Sequence, residues 1–480
     1  MPKILNKVPI SVALIKTGLL NMPDSKAAPP LGCMYLAAIL RERLGADCRI
    51  LDTRLGNLSD SAVGDWIAQN PPDLIGLSVL TMEAPQMHSL AGHLKKRFPH
   101  IPIIAGGPHA SANLESILAD KNIDWAAYLE GEYTLVELAE TLSQGKSTDK
   151  ILGLAHRQNG KLQVNPPRPY IINLDELPFP AWDLIDREAY FKAPRLSVIY
   201  KHAEYMPVFT SRACPFRCVY CHHIFGKRFR FRSPDNVLAE LGELYQKYGI
   251  REFEIYDDCF NAYIPRSKEI LRRFADSDLK DAVLSFPNGL RTDMVDQETI
   301  RLWKRARVFR VAIAVETASP RIQSLIKKNL RLPKLKTVVD QAYRQGILLH
   351  GLFMLGFPGE SRAELHQTIR YAEELAVHTA SFFAVNPFEG TELVDLARSM
   401  GIAINTDPQS YDFFRAKFNM SQVSDEELTH LLRQANVRFY FSIKRAIMLL
   451  KIFWHNPRAL LLLPKLFFDR IRTAKAEGGK

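Results

Sequence analysis

Apolar and polar positions follow two rhythms in the first third of the chain. Short apolar, β-rich runs stand at VPISVALIKTG, CRILDTR, DLIGLSVL, IPIIAGGPHAS and WAAYLEGE. Between them lie segments with apolar residues at helical spacing: PPLGCMYLAAILRERLGA, SAVGDWIAQN, SLAGHLKKRFP and TLVELAETLSQG. The first kind predicts buried strands and the second predicts amphipathic helices. The PPLG helix has proline at its start and Gly45 near its end, the usual asymmetry of helix ends. Strand–helix alternation of this sort predicts an α/β fold with a doubly wound parallel sheet. Ligands of such sheets bind at the carboxyl ends of the strands.

The rhythm breaks over residues 151–195, a proline-rich stretch (NPPRPY, LDELPFPAWDLI) that reads as a linker. It resumes at MPVFTSR, REFEIYDD, AVLSFPNG, RVAIAVET, ILLHGLFMLG and TASFFAVNP, six strands with helical segments between them. They predict a second parallel α/β domain, either open or barrel-like. Helical patterns dominate after about residue 400. The expected organisation is a doubly wound domain over 1–150, a linker over 151–195, a second α/β domain over 196–400 and a helical region over 401–480.

Composition adds little to the fold but sharpens the rest. The 480 residues are 47% hydrophobic and 24% charged, an ordinary globular mixture that excludes disorder and low complexity. Six cysteines are too few for a disulfide scaffold. The opening residues carry no small-residue cleavage site and do not read as a signal peptide. No apolar run of roughly 18 residues is free of charge, so no spanning helix is expected and the expected location is cytoplasmic. The formal net charge of +11 is unevenly spread: residues 431–480 hold eleven Lys/Arg against two acidic residues. That asymmetry argues against a general nucleic-acid binder. The tail mixes leucines and aromatics with cations, and Lys451, Arg458 and Lys465 interrupt its apolar stretches. It reads either as a peripheral membrane contact over residues 431–475 on the inner face of the membrane, or as a helical cap with a solvated basic face.

Chemistry concentrates at Cys214, Cys218 and Cys221 in SRACPFRCVYCHH, spaced C-x3-C-x2-C after a predicted strand. Three thiolates from one short loop suit an iron–sulfur cluster or a soft metal. A structural zinc site completed by His222 or His223 is the competing reading. Cys33, Cys48 and Cys259 read as small buried hydrophobes.

CPFRCVYC, with Tyr220 before its third cysteine, resembles the cluster motif of the radical S-adenosylmethionine (SAM) family. YDDCFN (Tyr256 to Asn261), AVETAS (Ala314 to Ser319), FMLGFPGE (Phe353 to Glu360) and NPFEGTEL (Asn386 to Leu393) resemble further elements of that family, in its order. The resemblance implies a partial (β/α) barrel with a [4Fe-4S] cluster held by Cys214, Cys218 and Cys221. The open iron would bind SAM, and one electron from a donor such as flavodoxin or ferredoxin would release a 5′-deoxyadenosyl radical. Glu316 and Ser319 are the implied SAM contacts, and Tyr220 either touches the adenine through its backbone or serves packing. Asp257 and Asp258 either serve SAM or cap the next helix.

The first domain, paired with such a barrel, resembles that of the cobalamin-binding class of the family. PPLGCMYLAAIL, GLSVLT (Gly76 to Thr81), AGGPHAS (Ala105 to Ser111) and EGE (Glu130 to Glu132) carry the likeness. Cobalamin would lie over the strand ends, near Ser78, Thr81, Gly106, Gly107 and Glu130. The DxHxxG motif is absent, so the lower cobalt face, near Leu80–Glu83, would have no histidine ligand, and His109 is not offered as one. The implied activity is methyl transfer to an unactivated carbon of a hydrophobic small molecule such as a lipid, polyprenoid or tetrapyrrole. Radical cyclisation, hydroxylation or carbon–carbon coupling is the enzymatic alternative, and a membrane-associated metal- or cobalamin-binding sensor the non-enzymatic one. A methylthiotransferase would need another cysteine trio upstream, where only Cys33 and Cys48 lie. No residue is assigned as hydrogen or proton donor, and no nucleic-acid partner is expected.

Overall fold

The structure is a computed structural model, and it describes residues 10–19, 27–195, 197, 199–405, 407–411 and 416–455. The last part of the basic tail, residues 456–480, lies outside the described residues, as does that share of the expected membrane segment. The chain divides into two compact units: Met1–Leu196 with Ile224–Gly226, and Ser197–His223 with Lys227–Lys480.

The first unit is built on seven strands: β1 (Ser11–Lys16), β2 (Asp47–Asp52), β3 (Leu74–Ser78), β4 (Ile103–Gly106), β5 (Trp125–Ala127), β6 (Leu154–Gln158) and β7 (Lys161–Val164). Their order is β2-β1-β3-β4-β5-β6-β7. The first five run parallel, while β6 and β7 join antiparallel. Alternation along β1 explains the two-sided burial. Ala13 and Ile15 pack with Val63, Ile67, Met87 and Leu90 on one face. Val12 and Leu14 pack with Ala37, Leu40, Leu135 and Leu138 on the other. The chain leaves β1 toward β2 on one side and returns to β3 on the other. The carboxyl ends of β1 and β3 therefore form the switch point where open α/β sheets receive ligands.

The stretch read as a linker is partly a hairpin. Asn159 and Gly160 both take positive φ, 52° and 77°, the backbone of a tight Asn-Gly hairpin turn. They fold β6 against β7 and extend the sheet. Only β6 is mostly buried; Leu162 and Val164 alternate along β7 but are exposed, and four residues are too short a run for that alternation to stand out.

The second unit carries β8 (Tyr205–Val208), the two-residue pair β9 (Ser211–Arg212) and β10 (Arg230–Phe231), then β11 (Glu252–Ile255), β12 (Val283–Leu290), β13 (Val308–Glu316), β14 (Leu348–Leu355) and β15 (Thr379–Ala384). Six of these form one all-parallel sheet in the order β15-β14-β13-β12-β11-β8. Successive strands are neighbours throughout, and β8 and β15 remain edges, so the sheet is a partial barrel. Its two faces differ. Along β14 the face of Leu349, Phe353 and Leu355 is buried, while His350, Leu352 and Met354 on the other face are half-exposed. Helices follow, at Asp425–Tyr440 and Ile443–His455.

Candidate active site

The cysteine loop begins where β9 ends. Ala213 takes φ 70°, a left-handed conformation unusual for a residue with a Cβ, and it turns the chain into Cys214. Asp257, at the end of β11, fixes this root. Its carboxylate accepts the Thr210 amide at 2.6 Å, the Thr210 hydroxyl at 2.5 Å and the Ser211 hydroxyl at 2.6 Å. It is buried and fully occupied by these bonds, and it caps no helix. Asp258 is exposed beside Ala213. Further along, Val219 donates to the Ile326 carbonyl at 3.1 Å, and its own carbonyl accepts from Leu393 at 2.8 Å. The Val219 side chain packs with Ile322, Ile326, Phe357 and Leu393. The loop is thus pinned at its root and its middle, with thiols at both ends.

Cys214 is half-buried, Cys218 buried and Cys221 exposed. Cys218 pairs with Cys221, and Cys214 with Cys259. The hydrogen bond from Cys221 and the charges of Lys328 and Arg291 pull the Cys218 thiol down to about 6. The bond from Cys259 pulls Cys214 down as well. Cys259 is buried, as are Cys33 and Cys48, but it also pairs with Cys214; burial pushes the Cys33 thiol up to about 11.

Among the described residues, no group of three His, Cys, Asp or Glu gathers around a single ion. His223 meets Lys227, and His222 lies 5.7 Å from the Phe388 ring. Ligands of a four-iron cubane bind separate irons and need not converge on one point. Three thiols, with cations to stabilise their ionised forms, are a fitting donor set for such a cluster.

Two of the SAM candidates meet beside this loop. Glu316 ends β13 with φ 64° and is buried. Its Oε1 accepts from the Tyr220 hydroxyl at 3.4 Å and from Lys328 Nζ at 3.1 Å. Burial opposes the Lys328 charge, but Glu316 and the thiols of Cys218 and Cys221 outweigh it and raise the ammonium's pKa. Lys328 was missed from sequence, where it is one cation in the run KKN. Ser319 sits apart in role. It caps the Pro320–Leu325 helix through the Ile322 amide and donates to Glu364 at 2.7 Å. Glu364 is also held by Arg321, which keeps its carboxyl down at about 2.

In the first unit, the candidate residues line the switch point. Gly107 takes φ 101°, and a Cβ there would stand 3.0 Å from the Val79 carbonyl oxygen. A Cβ on Gly106 would meet nothing within 4 Å. Leu80, just past β3, is 45% exposed, while Thr81 is buried in the turn that follows. Glu83 shapes that turn by accepting the Leu80 amide at 2.7 Å, and it forms a buried ion pair with Lys16 at the end of β1. Ser78 bonds to Cys33. Glu130 lies further off, accepting the Ile171 amide at 2.8 Å. His109 is buried, with Nδ1 against Asn113 and Nε2 without a hydrogen-bond partner, and burial lowers its pKa to about 4. Gly106 and the exposed Leu80 thus leave open surface at the carboxyl ends of the central strands.

These features define an enzyme class: a corrinoid-type binding domain joined to a parallel half-barrel that bears a three-thiol cluster loop. Residues 208–372 match the Radical SAM superfamily model, and residues 26–139 match the B12 binding domain model. The chain is 32% identical over 434 residues to an uncharacterised methyltransferase of Pyrococcus horikoshii, covering 89% of this chain and 91% of that one. It is 31% identical over 415 residues to the cytidylyl-2-hydroxyethylphosphonate methyltransferase of Streptomyces wedmorensis, covering 76% and 77%. It is 23% identical over 422 residues to the anaerobic magnesium-protoporphyrin IX monomethyl ester cyclase of Rubrivivax gelatinosus, covering 86% and 74%. The fold is that of the radical SAM methyltransferase TsrM from Kitasatospora setae, solved with cobalamin and a [4Fe-4S] cluster. That match has a TM-score of 0.66 at 18% identity and covers 82% of this chain and 76% of that one. The chain belongs to the cobalamin-binding radical SAM enzymes. It is an enzyme of the methyltransferase type, with a [4Fe-4S] cluster, SAM and cobalamin as its cofactors. The sensor reading falls with that membership.

Proposed function

We propose that this enzyme methylates an unactivated carbon of a hydrophobic metabolite such as a lipid, polyprenoid or tetrapyrrole. The observation that carries the acceptor class is the half-exposed inner face of the barrel. Leu352 and Met354 on β14, Ala314 on β13 and Phe383 on β15 present mostly apolar surface there. His350 lies deeper on the same face, with its two ring nitrogens against Thr379 at 2.7 Å and Ser381 at 3.1 Å.

In this reading Cys214, Cys218 and Cys221 hold the cluster, and Tyr220 and Glu316 contact SAM. Lys328 balances the Glu316 carboxylate and the thiolates in a buried site, where an unpaired charge would be costly. Asp257 and Ser319 act as positioning residues: one secures the root of the loop, the other the helix after β13. Gly106, Gly107, Ser78 and the Leu80–Thr81 turn hold the corrinoid. When bound, the cluster and SAM supply the hydrogen-abstracting radical, and the corrinoid supplies the methyl group. The apolar wall excludes water from the acceptor. The same reading takes residues 1–150 as the cobalamin domain, 196–400 as the radical SAM barrel and 401–480 as a helical basic region. A flavodoxin or ferredoxin would supply the electron, and residues 431–475 would contact a membrane.

Two relatives favour other acceptors or outcomes. The phosphonate enzyme named above argues for a polar, nucleotide-bearing acceptor, and the cyclase for radical cyclisation. The test is anaerobic reconstitution with cobalamin, SAM and reductant, with nucleosides assayed against Cys214→Ala. The proposal expects 5′-deoxyadenosine and S-adenosylhomocysteine together, dependent on lipid extract, with both falling about 1,000-fold or more in the variant. 5′-Deoxyadenosine alone would move the reading to cyclisation. Both nucleosides with a water-soluble acceptor only would overturn the hydrophobic class.

A further inference from the structure

Arg291 stands immediately after β12, and the buried side chain of Asn261 clamps its backbone. The Arg291 amide donates to Asn261 Oδ1 at 3.0 Å, and Asn261 Nδ2 donates to the Arg291 carbonyl at 2.9 Å. The same Oδ1 accepts from the Cys259 thiol at 3.6 Å, and Cys259 is the partner of Cys214. The Arg291 side chain is 11% exposed. Its guanidinium lies 4.2 Å over the ring of Phe216, midway between Cys214 and Cys218. It donates to Asp293 at 2.9 Å and to the Asn329 carbonyl at 3.3 Å. Arg291 thus ties the ends of β11 and β12 to the cysteine loop and to the turn that carries Lys328.

A guanidinium over an aromatic face is attracted by the ring's quadrupole, so this contact holds Phe216 and with it the first half of the loop. The charge balance matters as much. Asp293 is buried, and Arg331 approaches it as well, at 4.0 Å. One carboxylate between two guanidinium groups leaves a positive excess on this flank. On the other flank Lys328 is balanced by Glu316 at 3.1 Å, with its ammonium 5.9 Å from the centre of the Tyr220 ring. Lys227 adds a cation at the Phe216 carbonyl, 3.2 Å away, while Asp258 acts in the opposite sense on Cys214. The charges of Arg291 and Lys328 both reach Cys218 and favour its ionised form.

We infer that Arg291 is a positioning residue of the cluster loop whose charge raises the reduction potential of the cluster. On reduction a four-iron cluster takes up one electron from its donor and gains one negative charge, with no bond broken and no proton moved. The potential of such a cluster follows its net charge and its burial. A fixed cation in a site shielded from water stabilises the reduced form over the oxidised one. Arginine suits the task because its guanidinium does not lose its proton, so the charge is constant. The inference rests on the reading that Cys214, Cys218 and Cys221 hold the cluster, and goes beyond it by assigning a residue that supplies no ligand.

The test is a potentiometric titration of the reconstituted full chain, without SAM and with dithionite as the electron source. The reduced cluster is followed by electron paramagnetic resonance. Arg291→Gln is expected to favour the oxidised cluster about tenfold, a fall of about 59 mV for a one-electron couple. Arg291→Lys keeps the charge and should stay within about twofold of wild type. Asp293→Asn removes the anion and should shift the equilibrium about threefold the other way. That variant carries the test if Arg291→Gln takes up no iron. An unchanged potential in an iron-replete Arg291→Gln, or in Asp293→Asn, would overturn the inference. So would an equal fall in Arg291→Lys and Arg291→Gln, which would leave packing alone as the cause. A full cluster in Cys214→Ala would instead sink the ligand reading, whatever the potentials.

Discussion

Glu360 shows how a single carboxyl can set the pH response of the fold. It has no exposed surface, its Oε2 accepts the amides of Gly356 and Phe357, and its Oε1 has no hydrogen-bond partner. Burial, against those two bonds, pushes its pKa up to about 7. The folded chain thus keeps a proton that the unfolded chain releases near about 4.3. The contribution is fully present below the unfolded value and is lost as pH rises through about 7, by up to about 3 kcal/mol. Glu360→Gln keeps an acceptor for both amides and removes the titration. Its melting temperature, measured against wild type from pH 5 to pH 8 (roughly the window set by the two pKa values), should gain on wild type steadily as pH rises. A constant difference between the two would show that Glu360 is ionised throughout. Lys328 belongs to the same scale. Nothing in the local run KKN marks it, because its significance comes from the φ 64° turn at Glu316, twelve positions earlier, which the fold closes against it.

At the scale of elements, strands buried on both faces were readable because burial leaves continuous apolar runs. The β6–β7 hairpin was not, since β7 is short and exposed along its whole length and prolines follow it at Pro166, Pro167 and Pro169. Its Asn159–Gly160 turn was nonetheless present in the sequence, and weighting that dipeptide above the prolines would have found it. The cysteine loop was legible from spacing alone. The role of Asp257 was not, because its partners Thr210 and Ser211 are remote in sequence and adjacent only once β8 pairs with β11. Gly107 provides the element-scale prediction. Its left-handed backbone and the 3.0 Å approach to Val79 leave no room for a side chain. In Gly107→Ala the Cβ would press on the Val79 carbonyl and shift this turn by a few tenths of an ångström, and cobalamin content after reconstitution should fall about tenfold. Iron content should not change, since the thiols stand in the other unit. Full cobalamin loading of the variant would remove Gly107 from the cradle.

Across the whole molecule, two units with separate cores divide the cofactor work, one for the corrinoid and one for the cluster and SAM. Among the described residues no helix is long and apolar enough to cross a membrane. The pinned cysteine loop has a further consequence for how the enzyme is made and maintained. Its root is secured by Asp257 and its middle by Ile326 and Leu393, none of which is a thiol. The loop is therefore expected to keep its place without iron, unlike a zinc finger, which needs its metal to fold, and a lost cluster is expected to be rebuildable on the folded chain. Chelation should bleach the cluster's absorption while leaving the circular dichroism and the cooperative melt intact, and iron added back should restore the colour. Collapse of the melt on chelation would mean that the cluster holds the barrel together.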